Sequence, residues 1–375
     1  MKQIALYIHI PFCIKKCNYC DFNSFDTLEL IPMYLKSLKR EIFSLKGLGH
    51  TATTVFIGGG TPTILKSSQL ESILKTLHDC IDIANNAEFT IEANPGTLTR
   101  QKLLLLKSMG VNRLSIGLQA YQNRLLKIMG RIHTAEEFDK SYETARNIGF
   151  DNINVDLIFG LPRQSTKDFE TTLKHVLRLS PEHISCYSLS VEEGTKFYRW
   201  MQEGSLSLPT DEEERKMYHR AREVLTEQGY NHYEISNFSI AGRESKHNLV
   251  YWTYKDYLGL GAGAHSFFDN KRFYNHKTIP AYIKSIYESS GHVAHVGQIP
   301  FKEQLSEFCF LSLRLIQGLS KEAFRKRFSL ELNQVYGNVI EKLKKQGLLQ
   351  ENAEYIKLTT QGLDFANEVF MEFLP

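Results

Sequence analysis

A chain of 375 residues with 42% hydrophobic and 23% charged side chains has a globular composition, and it is long enough for a large domain with a smaller one attached. Its formal net charge of +3 gives no reason to expect tight nucleic-acid binding, and no apolar run reaches the ~18 residues of a membrane span. No signal peptide precedes the first cysteines, so the expected compartment is the reducing cytoplasm, where free thiols persist.

From residue 3 onward, short apolar segments alternate with amphipathic ones. Strands are expected at 5–10, 53–57, 88–93, 113–118, 152–158 and 183–189, each bounded by Gly, Pro or Asn. Helices are expected between them at 32–45, 68–80, 100–109, 134–148 and 165–179. Repeated βα units of this kind make an α/β fold with a parallel sheet and place functional groups at the strands' C-terminal ends. Six strands make an open partial barrel, and two more to close it are not found before the pattern changes.

Immediately after the first strand, Cys13, Cys17 and Cys20 stand in a CxxxCxxC spacing, half of the six cysteines within eight residues. Three thiols so close together cannot all pair as disulfides. A zinc site would want a fourth Cys or His nearby, and the next cysteine is Cys80. A four-iron cluster held by three thiolates keeps one iron open to a further ligand, and S-adenosylmethionine (SAM) chemistry uses such a site. Pro11, Phe12, Tyr19 and Phe22 give the loop apolar cover.

The second strand runs into Gly58-Gly59-Gly60-Thr61-Pro62-Thr63, which lets backbone approach a ligand closely. No Gly-Lys-Ser/Thr follows, so the loop is not of the nucleotide-phosphate type. Glu92 ends the third strand, Gln119 the fourth, and Asp156 lies in the fifth; Arg131, just beyond a short helix, can reach an anionic group. Cys80, Cys186 and Cys309 sit singly in apolar segments and read as core.

After about residue 190 the periodicity weakens. A further strand is expected at 230–235, then irregular backbone rich in Gly, Asn and aromatics at 236–275, then a more helical tail from 301. Within the tail, a helix at 332–346, a short strand pair around 348–358 and a helix from 360 suggest a small winged-helix-like unit. The expected division is 1–235 for the barrel, 236–300 for an irregular connecting region and 301–375 for a C-terminal helical unit.

Taken together, Tyr7-Ile8-His9-Ile10-Pro11-Phe12-Cys13, the glycine motif, Ile91-Glu92-Ala93-Asn94-Pro95 and Asp156-Leu157-Ile158-Phe159-Gly160-Leu161-Pro162 resemble the radical SAM family of oxygen-independent coproporphyrinogen III oxidases. The resemblance runs nearly end to end. It implies a partial (β/α)6 TIM-like radical SAM barrel with a smaller, mainly helical C-terminal domain, a 4Fe-4S cluster on Cys13, Cys17 and Cys20, and SAM. By matching motif, it implies SAM contacts at Tyr7, Gly59 and Glu92, and contacts to a second SAM at Gly60, Thr61, Gln119, Arg131, Asp156 and Ser190, with His265 near another. The oxidase branch carries a fourth cysteine one residue after the third, where this chain has Phe22. That difference, with the shorter N-terminus, points to the HemW-like haem-chaperone branch, whose HNxxYW motif is present as His247-Asn248-Leu249-Val250-Tyr251-Trp252.

Imidazole is a good axial ligand for haem iron, so His247 is the candidate haem ligand, with His265 and His276 as weaker candidates for a second. Tyr251, Trp252, Tyr254 and Tyr257 would offer flat contact to the porphyrin, and Arg243, Lys246 and Lys255 would meet propionates. The expected function is a haem chaperone that passes haem to acceptor haemoproteins such as respiratory-chain subunits, with SAM cleavage left open. The alternatives are coproporphyrinogen III oxidation, which Phe22 disfavours, and, further off, radical SAM modification of RNA.

Overall fold

The computed structural model describes residues 2–288 and 293–375, so residues 289–292 of the expected connecting region lie outside the described residues. β1 (Lys2–Ile10), β2 (His50–Gly59), β3 (Asp82–Ala93), β4 (Arg113–Gln119), β5 (Ile153–Phe159) and β6 (His183–Ser188) pair in sequence order, all parallel. The crossovers between them carry α1 (Ile31–Phe43), α2 (Ser67–Cys80), α3 (Arg100–Ser108), α4 (Asn123–Met129), α5 (Ala135–Ile148) and α6 (Thr166–Leu179). These are the expected six βα units. Parallel strands covered by crossover helices are buried on both faces, which is why β4 has every residue buried and why the strands read as apolar runs. Helix starts are fixed locally: Thr134 and Ser165 close capping boxes with Glu137 and Asp168 at the heads of α5 and α6.

Beyond β6 come α7 (Lys196–Gln202) and α8 (Asp211–Glu227), two helices without an expected counterpart, and then β7 (Asn231–Glu234) and β8 (Asn237–Ser239), with β8 antiparallel to β6. The stretch 236–275 is not irregular. After α9 (Lys246–Trp252), the strand β9 (Tyr257–Leu260) joins the other side of β1 in parallel; β10 (His265–Phe268) and β11 (Lys271–Asn275) follow antiparallel. α10 (Ile279–Tyr287) leads to β12 (Val293–Gln298) at the edge. Among the described residues the sheet order is β12-β11-β10-β9-β1-β2-β3-β4-β5-β6-β8-β7. Strands this short, dense in Gly and Asn, give little alternation in sequence; pairing with strands already in the sheet holds them.

The C-terminal part contains α11 (Phe301–Ser312), β13 (Leu319–Ser320), α12 (Lys321–Phe328), α13 (Leu332–Lys345), β14 (Leu349–Glu351), β15 (Tyr355–Leu358), α14 (Thr360–Asp364) and α15 (Ala366–Met371). Its three strands form a second small sheet in the order β13-β15-β14. The segment after α11 also anneals to β7: the Ile235 amide donates to the Arg314 carbonyl and the Ile316 amide to the Tyr233 carbonyl, both at 3.1 Å. Among the described residues, no helix is long and apolar enough to cross a membrane.

Candidate functional site

The cysteine loop leaves β1 at Ile10 and is pinned by backbone hydrogen bonds at both ends. The Cys13 amide donates to Phe25 O (2.9 Å), the Phe25 amide to Pro11 O (2.7 Å), and the Asn18 amide to Met129 O (2.8 Å) at the end of α4. The glycine turn after β2 lies against it: the Gly60 amide donates to Ile10 O (2.9 Å) and the Thr61 amide to Phe12 O (2.8 Å). Glycine is required here by contact as much as by conformation. A Cβ on Gly60 would sit 2.5 Å from Phe12 O, and one on Gly59, where φ is +110°, would sit 2.3 Å from the His9 ring.

Cys13, Cys17 and Cys20 are all free and partly exposed, and all three line one pocket of about 390 Å³ at the C-terminal ends of the strands. Gly59, Gly60, Thr61, Glu92, Gln119, Arg131, Asp156 and Ser190 line the same pocket. Burial pushes the Cys13 and Cys20 thiols above their ordinary range, so as thiolates they want a cation beside them. Arg131 is wedged between Asn94 Oδ1 (2.6 Å) and Gly117 O (2.7 Å), with Nη1 3.8 Å from Cys17 Sγ. Glu92 accepts from the Gly59 amide at 3.0 Å, and burial, with Asp156 adding to it, raises its carboxyl to about 7.

Gln119 is held at φ +71°, and its buried Oε1 has no partner. A strained, unsatisfied amide at the rim of a concave site is the kind of group a ligand completes. Three free thiols, glycine backbone and this amide around one cavity of cofactor size therefore fit a cluster with SAM bound beside it. Among the described residues no three His, Cys, Asp or Glu side chains gather as tightly as a single metal ion requires. Asn94, which sequence reasoning passed over, ties the site together: it donates to Thr61 Oγ1 (2.8 Å) and accepts from Arg131.

Tyr7 and His247 lie elsewhere. A second cavity of about 200 Å³ shares Glu92, Ser115, Asp156 and Tyr187 with the pocket and extends toward the strands' N-terminal ends, where Arg113, His183, His247 and Tyr251 line it together with Tyr7. Arg113 is only 2% exposed and its Nε has no partner. Asp156 accepts from Ser115 (2.9 Å) and Asn154 (2.8 Å), and the Tyr7 hydroxyl meets His9 Nδ1 at 2.8 Å. The chamber was legible in principle: Arg113/Ser115, Asn154/Asp156 and His183/Ser185 are polar pairs two residues apart in otherwise apolar strands, so each pair faces inward.

The structure does not present His247 as an open haem ligand. Its ring is buried at 1% exposure, with Nδ1 2.8 Å from Thr54 Oγ1 and Nε2 2.9 Å from the Tyr251 hydroxyl, and it stacks on Phe56. Burial, with Arg113 nearby, pushes the imidazole down to about 3, so it is neutral and fully used. The Lys246 and His247 amides both donate to Glu88 at 3.0 Å, seating α9 on the end of the barrel. The expected aromatic face is also spent: Tyr254 is buried with its hydroxyl on Glu307, and the Tyr251 ring packs edge-on to Tyr257. Arg243 is paired with Asp151, while the Lys246 and Lys255 side chains are exposed and, among the described residues, unpaired. His265 packs its ring against Tyr274 on the antiparallel extension. Phe22 stands 67% exposed at the pocket's rim.

A parallel partial barrel with three thiols and a glycine turn meeting at its C-terminal rim defines a radical SAM protein. The Radical SAM superfamily matches residues 7–176, and the HemN C-terminal domain matches 299–365. Within that class the chain belongs to the HemW family. It is 41% identical over 374 residues to "Heme chaperone HemW" of Bacillus subtilis (strain 168), covering 99% of each chain, and 33% identical over 385 residues to the protein of that name from Escherichia coli (strain K12), covering 100% of this chain and 99% of the other. "Radical S-adenosyl methionine domain-containing protein 1, mitochondrial" of Bos taurus is 31% identical over 390 residues, covering 100% and 88%. The solved coproporphyrinogen III oxidase HemN of Escherichia coli superposes with a TM-score of 0.86 at 24% identity, over 99% of this chain and 90% of that one, a likeness of fold. Membership of the radical SAM superfamily carries a 4Fe-4S cluster and SAM as its cofactors.

Proposed function

We propose that this chain binds haem and hands it to acceptor haemoproteins in the cytoplasm, with a 4Fe-4S cluster and SAM in the barrel pocket. What carries this is the end-to-end likeness, at 41% identity, to relatives named as haem chaperones. Phe22 supports it, because a bare phenyl ring occupies the rim position where the oxidase branch has a fourth thiol. Cys13, Cys17 and Cys20 would hold the cluster. Gly59, Gly60 and Thr61 would let SAM lie against backbone, and Glu92 would meet its amino group. Gln119, Arg131, Asp156 and Ser190 would enclose the rest of the pocket. The cluster and SAM, when bound, supply one-electron chemistry at the sulfonium.

His247 and Tyr7 would act from below. His247 fixes α9 against β2 through Thr54 and Phe56, and Tyr7 closes the chamber that adjoins Glu92. The test is anaerobic reconstitution followed by separate exposure to haem and, with SAM, a one-electron reductant and an electron acceptor supplied, to coproporphyrinogen III. A saturable Soret shift with haem and unconverted coproporphyrinogen is the expected result. Formation of protoporphyrinogen IX by the reconstituted protein would assign the oxidase activity instead.

A further inference from the structure

With His247 enclosed, the haem surface has to be sought on the other side of the helix that carries it. α9 is two-faced. Residues 247 and 251, one turn apart, point into the barrel, whereas Leu249, Val250 and Thr253 line an open groove of about 750 Å³ on the outside. The opposite wall is the extended segment after α11, which brings Leu315 and Ile316 alongside as it anneals to β7. Leu249, Val250, Leu315 and Ile316 are each only partly buried, so they present apolar surface to the groove, beside the polar His232, Tyr233, Thr253 and Gln317.

The groove's margins are cationic. Lys246 and Lys255 bracket α9, Lys357 projects from β15, and none of the three has an ion pair or side-chain hydrogen bond among the described residues. Among the described residues, Glu244 is the one acid on the lining. Elsewhere the surface lysines are commonly paired, as in Lys216 with Glu212 and Lys326 with Glu322. Three unpaired ammonium groups around an apolar floor are complementary to a flat apolar body with carboxylates on its edge. The volume is also sufficient: ligand sites for cofactor-sized molecules run from ~300 to ~1,000 Å³, a range that includes this groove, whereas the chamber around His247 holds only about 200 Å³.

Resting on the haem-carrying role proposed above, we propose that haem docks in this groove, its macrocycle on Leu249, Val250, Leu315 and Ile316 and its propionates on Lys246, Lys255 and Lys357. His247 is then a positioning residue: it holds α9 so that the helix's outer face forms one wall of the haem site. The groove spans the seam between the barrel edge and the C-terminal part, at the surface, where an acceptor can reach the bound haem without passing the cofactor pocket.

The experiment is haem titration of the full-length reconstituted protein, read by Soret absorbance, with iron-sulfur absorbance recorded on the same samples. The double variant Lys255→Glu/Lys357→Glu is expected to bind haem about tenfold more weakly or worse. The matched Lys255→Arg/Lys357→Arg variant keeps the charge and should bind as wild type, and Val250→Glu should lose haem while keeping its cluster. Wild-type affinity in both glutamate variants would overturn the groove while leaving the haem-carrying role standing. A wild-type protein that shows no Soret shift would overturn that role and the groove with it.

Discussion

Gly60→Ala should uncouple the cysteine loop from the sheet. The added methyl would lie 2.5 Å from Phe12 O, 2.8 Å from Phe12 N and 2.9 Å from Phe12 C, and because all three are backbone atoms no side-chain rotation relieves the overlap. Reaching ordinary contact takes a displacement of about 1 Å. The same movement strains the Gly60-to-Ile10 and Thr61-to-Phe12 hydrogen bonds. Overpacking of this kind costs ~1–3 kcal/mol, which in a chain of this size lowers Tm by roughly 1–4 °C. Cys13 follows Phe12 directly, so the displacement also falls on the first thiol, and cluster loading should drop by more than the change in stability accounts for. Thermal melting of the metal-free protein, with iron and labile sulfide counted after anaerobic reconstitution, measures both effects. Gly204→Ala is the control: its φ of +68° costs ~1 kcal/mol, and nothing lies within 4 Å of the new methyl. Wild-type melting and full cluster loading in Gly60→Ala would refute the close packing of the glycine turn on the loop.

His247→Ala removes the contacts to Thr54, Tyr251 and Phe56 from a buried site and should destabilise by ~2–4 kcal/mol; denaturant melts within ~0.5 kcal/mol of wild type would contradict its role in seating α9. Glu92 has a folded value of about 7 against an ordinary 4.5. The native state therefore binds more protons than the unfolded chain between those values, and the contribution of Glu92 to stability falls as pH rises through that window and then levels. The full shift is equivalent to ~3 kcal/mol, trimmed to ~1–2 kcal/mol by the water of the pocket. Glu92→Gln should flatten the dependence of Tm on pH between about 5 and 7, and an unchanged slope would count against a raised carboxyl. Gly337→Ala, inside α13 with open space around the new methyl, should stabilise by ~0.5–1 kcal/mol, and a lowered Tm would show an unsuspected contact there.

The barrel was legible because a doubly covered parallel strand is apolar over much of its length, and β1 through β6 carry such stretches beside their inward-facing polar residues. The cysteine loop was legible for a chemical reason: three thiols at that spacing have few uses other than a cluster. What failed to show was whatever depended on distant partners. His247 reads as a haem ligand within its own motif, and only the fold brings Thr54 and Phe56 of β2 against it. The strands between 236 and 275 are too short to alternate visibly, and β9 exists because β1 offers it an edge. Lys357 gave no signal at all, since its meeting with Lys246 and Lys255 across one groove follows from the annealing of residues 314–316 to β7. Arg113, Asn154 and His183 were passed over in the sequence; the period-two pattern they make with Ser115, Asp156 and Ser185 marks a chamber without saying what fills it.

The central claim is that this chain is a carrier of haem. It is tested most directly by loading the reconstituted protein with haem, removing free haem, adding an excess of an apo-haemoprotein and following the transfer of Soret absorbance to the acceptor under anaerobic conditions. Transfer that is faster than release to buffer, with less haem retained for transfer by Lys255→Glu/Lys357→Glu after the loading step, is the predicted result. Haem that is not retained, or that leaves no faster with an acceptor present, would contradict it.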